Sequence, residues 1–357
     1  MCGVVIYCRH MLTASSLFGT TAAKGASDLH LLVGHKPILR VTGELFDLEG
    51  EDVLTEASME KIIHQIATPE QFERFRIEKE LDLAYGVEGA RFRVNLHWEK
   101  GHIGLAARTI PQDIPTMQQL GLPPVIQGFT DLPHGLILVT GPTGAGKSTT
   151  LAAMVDYINE SRRVNIITLE DPVEFLFTPK QSIIRQRQLE SDMVSFSEGL
   201  KHVLRQDPDV VMVGEMRDLD TIATTLTLAE TGHLVFATLH TYSAPQTISR
   251  IIDVFPPFQQ TQIRLQLAMT LRGVVSQQLL PRVGGGLMAT REVLVNTPAC
   301  ANLIRENKVE QIKNVIQTGA ALGMVSYSQD IKRLVKEGLI TPETGDNYLI
   351  ASNENSK

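Results

Sequence analysis

Two periods of hydrophobic and polar alternation run along this chain, and the change from one to the other divides it. Up to residue 110, short alternating stretches are mixed with helical ones. Ser27 to Leu32 alternates as a strand, Ile38 to Val41 as another, and Ala90 to His97 as a third that carries Arg91 and Arg93. Met59 to Ala67 carries a helical pattern. These predict an α+β domain over residues 1–110, with 1–21 as an extra N-terminal tail whose apolar stretch Gly3 to Tyr7 is a strand candidate. Pro111, Pro115, Pro123 and Pro124 mark a connection over 111–124 too proline-rich for regular structure.

Beyond it the pattern changes to continuous apolar runs: Leu136 to Thr140, Asn165 to Leu169, Val210 to Val213 and Leu234 to Thr238. Fully apolar strands separated by helical segments predict an α/β core over 125–297, with a parallel sheet covered on both faces and ligands at the carboxyl ends of its strands. Past Pro281 and Gly284-Gly285-Gly286 the pattern predicts one more strand. Short helices follow over 298–357, with a polar, frayed end from Ser352 to Lys357.

Composition changes this picture little. The chain has 357 residues, long enough for two domains with separate cores. Its 33 basic and 40 acidic residues give a net charge of −7, which disfavours a dedicated nucleic-acid binder. No apolar run approaches the roughly 20 residues that span a bilayer. Cys2, Cys8 and Cys300 form no C-x-x-C pair, so neither a disulfide framework nor a structural zinc site is expected, and a reducing cytoplasm is the natural setting.

The candidate chemistry begins where the first apolar run ends. Gly141-Pro142-Thr143-Gly144-Ala145-Gly146-Lys147-Ser148 fits G-x-x-x-x-G-K-[ST], and Leu151, Met154, Val155 and Ile158 behind it recur on one helical face. Phosphates need many backbone N–H groups converging on them, and glycines permit the close approach that a Cβ obstructs. The helix N-terminus adds the positive end of its dipole. Lys147 is expected on the β- and γ-phosphates of ATP, the Ser148 hydroxyl on Mg²⁺, and Thr149 is a second hydroxyl close by. The pattern alone does not name the reaction.

Val210 to Val213 ends in Gly214-Glu215, a buried strand presenting one carboxylate, so Glu215 is the candidate Mg²⁺-side group, acting directly or through water. Asn165 to Leu169 ends in Glu170-Asp171-Pro172-Val173-Glu174. Glu170 comes first off the strand and is the candidate water activator, while Asp171 before Pro172 also suits a turn and Glu174 a solvated surface. His233 and His240 bracket the fourth run, too far apart in an extended strand to share a metal. His240, at the carboxyl end, is the better site candidate. A phosphoryl-transfer site also needs guanidinium donors, for which Arg93, Arg108, Arg205 and Arg217 are available, each equally able to be a surface charge.

Taken together and in order, these elements closely resemble the secretion and type IV pilus ATPases, especially the pilus retraction (PilT-type) motors. The resemblance rests on the Walker A loop 141–148, on Ile167 to Glu174 as an Asp box, on Leu204-Arg205-Gln206-Asp207-Pro208-Asp209 running into Gly214-Glu215 as Walker B, and on Thr231 to Thr241 as a His box. Ser27 to Leu31 and Arg250 to Pro256 extend it over nearly the whole chain after residue 20. It implies a PAS-like N-terminal domain, a RecA-like ATPase core and a homohexameric ring at the cytoplasmic face of the inner membrane. In that ring Glu170 activates water, Glu215 accompanies Mg²⁺, and His233 and His240 belong to the family's box. Arg93 and Arg108 match the N-domain arginines that approach the nucleotide phosphates. The implied partners are an inner-membrane platform protein and a related retraction ATPase, with no nucleic acid.

The chain's length and lack of a four-cysteine module favour retraction over extension. The family's Ala-Ile-Arg-Asn-Leu-Ile-Arg-Glu appears as Ala299-Cys300-Ala301-Asn302-Leu303-Ile304-Arg305-Glu306, so Ala301 stands at an arginine position and keeps an accessory retraction role open. An extension or secretion ATPase, a non-hydrolysing ATP-binding component and a nucleic-acid motor on the same core are the competing readings.

Overall fold

A computed structural model describes residues 12–111 and 113–354, with side chains up to residue 349. The chain divides into two units at Gln112/Asp113.

In the first unit α1 (Ala14–Ala23) leads into β1 (Asp28–Leu31), β2 (Ile38–Val41) and β3 (Glu44–Asp47). Two helices, α2 (Glu56–Ile66) and α3 (Pro69–Glu78), precede a three-stranded meander, β4 (Glu80–Val87), β5 (Ala90–Glu99) and β6 (His102–Ile110). The strands form one antiparallel sheet in the order β3-β2-β1-β6-β5-β4. Period-2 alternation buries Leu29, Leu39, Ala107 and Val94 against the helices, while Asp28, Arg40, Arg108 and Arg93 stand on the opposite face.

The tail expected over residues 1–21 is corrected in its second half. Thr13 caps α1, and Leu17, Phe18 and Thr21 bury one side of it. The Phe18 ring meets Tyr85 and Phe92 edge-on at 4.8 and 4.9 Å. Alanine, serine, threonine and Gly19 fill the rest of this helix, so its sequence has little amphipathic contrast to read. Gly3 to Tyr7, Cys2 and Cys8 lie outside the described residues.

In the second unit, α4 (Pro124–Thr130) precedes β7 (Gly135–Thr140), α5 (Lys147–Ser161), β8 (Asn165–Glu170) and β9 (Ile183–Gln188). Next come α6 (Phe196–Val203), β10 (Val210–Val213), α7 (Leu219–Glu230), β11 (Leu234–Leu239), α8 (Ala244–Asp253) and α9 (Pro257–Thr270). The hairpin β12 (Leu271–Pro281) and β13 (Leu287–Val295) leads to α10 (Pro298–Arg305), α11 (Ile312–Thr318), α12 (Tyr327–Lys336) and α13 (Pro342–Glu354). The sheet order is β13-β12-β7-β11-β10-β8-β9, parallel except for the β13 edge.

The four apolar runs become β7, β8, β10 and β11, and their neighbouring residues serve two cores. Leu136, Leu138, Ile167, Val211, Val235 and Ala237 pack on one face under α6 to α10; Ile137, Val139, Ile166, Met212 and Phe236 pack on the other with α4 and α5. Continuous hydrophobicity is what a strand buried on both faces requires.

Between residues 113 and 123 the described backbone has no helix or strand, yet it is packed rather than free. Met117 is buried in the second core, and the buried Arg291 donates to the carbonyls of Leu120 and Gly121 at 3.0 and 3.4 Å. Ala301 faces the core from α10 beside Cys300 and Ile304.

Candidate functional site

The loop Gly141–Gly146 joins the carboxyl end of β7, an interior strand of the sheet between β12 and β11, to the start of α5. Gly141 takes φ +146° with its missing Cβ position only 2.2 Å from the Gln277 carbonyl oxygen on β12, so any side chain there would strike the neighbouring strand. Gly146, at φ +81°, turns the chain into the helix. No side chain caps α5, which leaves the first N–H groups of the helix directed at the loop. The Gln277 side chain braces this turn: its Nε2 donates to the Ala145 carbonyl at 2.7 Å and its Oε1 accepts from Thr150 at 2.9 Å.

Lys147 is only 9% exposed. Its Nζ donates to the carbonyls of Gly141 (2.8 Å) and Pro142 (3.0 Å) and lies 3.4 Å from His240 Nδ1. An ammonium has only donors, so Nδ1 accepts and Nε2 carries the ring proton toward Glu215 Oε1, 3.1 Å away. The other oxygen of Glu215 meets the Arg217 guanidinium at 2.9 Å. A continuous chain Lys147–His240–Glu215–Arg217 results. Burial lowers the Lys147 pKa, with Glu215 and Glu174 opposing it. Burial pushes Glu215 upward too, but Arg217 and His240 outweigh that and hold its carboxyl below the ordinary carboxylate value.

Glu170 sits at the end of β8, 5% exposed. Its Oε1 accepts from Thr168 (2.6 Å) and Gln186 (3.1 Å), and its Oε2 from the Glu174 backbone N–H (3.3 Å). Burial raises its pKa against these hydrogen bonds. Asp171 and Glu174 are exposed. Of the three carboxylates at this strand end, only Glu170, the residue preferred from its position on the strand, is buried in a polar cage.

Thr143 to Thr149, Glu170, Asp171, Glu174, Glu215 and His240 line one cavity of about 470 Å³. Gly141 and Pro142 contribute backbone to the Lys147 contacts beneath it. Arg217 is not in the cavity lining and pairs with Glu215, which is. His233 is elsewhere: it stands before the first residue of β11, at the end of the strand opposite His240, and its Nδ1 lies 2.9 Å from the Leu228 carbonyl. Arg205 is an exposed residue after α6, outside the cavity lining. Arg93 and Arg108 belong to the first unit, where they face each other across β5 and β6.

Sequence reasoning missed Gln277, Gln186 and Thr168, the groups that hold the loop and Glu170 in place. Strand β9 hides in Ile183-Ile184-Arg185-Gln186-Arg187-Gln188 because it is a sheet edge with little apolar demand.

The donor set suits a polyphosphate with a hard cation. It offers backbone N–H groups and an ammonium for phosphate oxygens, with a hydroxyl (Ser148) and an ionised carboxylate (Glu215) on the same cavity. Among the described residues no cluster of three or more His, Cys, Asp or Glu side chains forms a metal cage, and Mg²⁺ bound beside phosphates and waters needs none.

The model of the type II/IV secretion system protein family matches residues 116–341, more than half of the chain. The chain belongs to this family. Its fold is that of the family's pilus motors: a crystal structure of the pilus retraction motor PilT with bound ADP superposes with a TM-score of 0.87 at 42% identity, covering 94% of this chain and 96% of that one. The type IV pilus retractation ATPase PilT of Pseudomonas aeruginosa is 46% identical over 92% of this chain and 96% of its own length. The type IV pilus ATPase PilU of the same organism is 36% identical over 90% and 84%. As a family member the chain carries an N-terminal domain followed by a RecA-like α/β ATPase domain. No helix among its described residues is long and apolar enough to cross a membrane.

Proposed function

We propose that this chain is an ATP-hydrolysing motor of type IV pilus retraction. The observation that carries the reading is the convergence of Lys147, Ser148, Glu170 and Glu215 on one cavity at the carboxyl edge of a parallel sheet. Phosphoryl transfer asks a protein chiefly for position and charge. In this reading Gly141 to Thr149 wrap the phosphates, Lys147 binds their oxygens, and Ser148 with Glu215 holds Mg²⁺, which would neutralise charge on the transferring group. Glu170 takes the proton of the attacking water; burial, which raises its pKa, makes it a stronger base than an exposed carboxylate. His240 keeps Lys147 and Glu215 in register.

Arg93 and Arg108 serve as the phosphate-facing arginines of the first unit, and Arg217 orients Glu215. His233 and Arg205 have no part in the chemistry: the first hydrogen-bonds its own turn and the second is a surface charge. Six copies form the ring, which acts on a platform protein at the cytoplasmic face of the inner membrane.

Purified protein is expected to hydrolyse ATP as a hexamer and to lose turnover in Lys147→Ala and Glu215→Ala. Normal turnover in both variants would overturn the reading. Cells lacking the protein should be hyperpiliated and unable to retract, whereas bald cells would assign it to extension. One observation favours a second reading, an accessory retraction ATPase working with a related motor: Ala301, at a family arginine position, is buried in α10. Retraction that persists at the parental rate after deletion, and stops only when a second motor is also removed, would establish it.

A further inference from the structure

Between β8 and β9 the chain crosses residues 171–182 without helix or strand, and Asp171, Pro172, Glu174, Phe175 and Phe177 of this segment line the cavity. Side-chain amides hold its backbone where a neighbouring strand is missing. At the near end Gln188 Oε1 accepts from the Val173 N–H at 3.3 Å. At the far end the buried Asn159 of α5 donates to the Thr178 carbonyl and accepts from the Lys180 N–H, both at 2.9 Å. Gln186 stands between them. Its Oε1 accepts from the Phe177 N–H at 3.0 Å and its Nε2 donates to the Phe175 carbonyl at 2.7 Å, as a peptide group of an adjacent strand would.

The other hydrogen of that Nε2 goes to Glu170 Oε1 at 3.1 Å. Three partners admit one orientation of the amide, because the N–H needs its oxygen and the two acceptors need its nitrogen. The two oxygens of Glu170 are therefore unlike. Oε1 accepts from both Thr168 and Gln186, which occupies its lone pairs, whereas Oε2 has one longer bond, from the Glu174 N–H at 3.3 Å. A proton taken from water goes to the oxygen with a lone pair to spare.

We propose that Gln186 is a positioning residue that reserves Oε2 of Glu170 for the attacking water, and that it does so only while residues 171–182 are docked along β9. The proposal rests on the reading of Glu170 as the water activator and adds what aims it. Freed from Phe175 and Phe177, the Gln186 side chain regains its rotamers and the donor to Oε1 is no longer fixed. The charged groups around Glu170 are Glu174, whose carboxylate raises its pKa, and Lys147, Asp171, Glu215 and His240 on the same cavity. On β9, Arg185 and Arg187 alternate onto the face opposite Gln186.

The test is steady-state ATP hydrolysis by the full-length chain as a function of pH, with ADP affinity and melting temperature measured alongside. Gln186→Met keeps the length and removes the amide. It is expected to lower the plateau of kcat about tenfold while ADP affinity stays within about twofold of the parent. The acid limb of kcat should move up by about one pH unit, because a donor to the charged form is lost and the base must be charged to act. Gln186→Glu sets a second carboxylate beside Glu170 and should move the limb further the same way. Lost packing alone lowers kcat at every pH, so a limb that stays in place overturns the proposal. In a Glu170→Gln background, Gln186→Met should cost nothing more, and losses that multiply would contradict it. Gln188→Met loosens the segment, and the Gln188 side chain makes no bond to the Glu170 carboxyl. It should move the limb in the parent and not in Gln186→Met; no movement in the parent removes the dependence on docking. Should Gln186→Met not stay folded at the assay temperature, Thr168→Val replaces it. That variant removes the other donor to Oε1, and a limb that does not rise sinks the idea. Glu170→Gln separates the two levels. If it loses turnover while Gln186→Met matches the parent, only this inference falls; if it hydrolyses ATP normally, the reading beneath it falls as well.

Discussion

At Lys147 the chain keeps an ammonium group in a place where burial works against its charge, and the neighbouring groups explain how. Two loop carbonyls and an imidazole take its three donors, and Glu215 supplies the opposite charge at one remove. Breaking that set leaves a charge without partners, which costs more than the contacts themselves. His240→Ala is therefore expected to lower kcat/KM by about tenfold to a hundredfold, with His240→Gln recovering part of it through one retained contact. Glu170 makes the opposite demand. Its raised pKa means that turnover should climb with pH through a value above the ordinary carboxylate one, and kcat against pH measures this directly. Stability from this group runs the other way: it is complete below the unfolded pKa and is lost as pH rises through the folded one. Glu170→Gln should flatten both dependences, leave nucleotide binding intact, and cut kcat by about a hundredfold or more. Retained turnover in Glu170→Gln would move the base to Asp171 or Glu174.

At the scale of elements, the phosphate loop depends on a strand far away in sequence. β12 lies beside β7 and lends Gln277, whose amide holds both the Ala145 carbonyl and Thr150. Gln277→Ala orphans both groups and should cost about 1–3 kcal/mol of stability, read from denaturant unfolding, along with a weaker affinity for ADP. A variant as stable as the parent would show that the loop stands without its brace. A second junction joins β13 to α8: Glu292, buried, accepts from the Ala244 N–H at the first turn of that helix. Burial pushes its pKa up to about 6 from the ordinary 4.5. Because the folded value is the raised one, its contribution is whole below 4.5 and gone above 6. Glu292→Gln keeps the accepting oxygen and removes the charge, so the variant should be more stable than the parent by about 2 kcal/mol at pH 8 and equal to it at pH 4. Equal stability at both pH values would mean that Glu292 stays uncharged or well solvated.

At the scale of the whole molecule, the chain folds as two units with separate cores. Calorimetry of the full chain should resolve two unfolding transitions. ATP at about a hundred times its Kd adds about 2.7 kcal/mol to the unit it binds, so it should shift the transition of the second unit. A shift confined to the first unit would displace the site from the loop at Gly141. The sequence by itself determined whatever is local along the chain. The loop, its lysine and its serine are contiguous, the apolar runs announce strands buried on two faces, and the order of the boxes points to the family. These signals are legible because strand–loop–helix geometry needs only neighbouring residues. Tertiary structure decided the rest, because a period states which face a residue takes but not which strand lies beside it. It set His240 between Lys147 and Glu215 and closed a polar cage of Thr168 and Gln186 around Glu170. It also placed Gln277 under the loop, 132 residues from Ala145, and Asp28 against Arg108, 80 residues away. Sheet order and register bring such groups together, and neither is written in any one stretch of the chain.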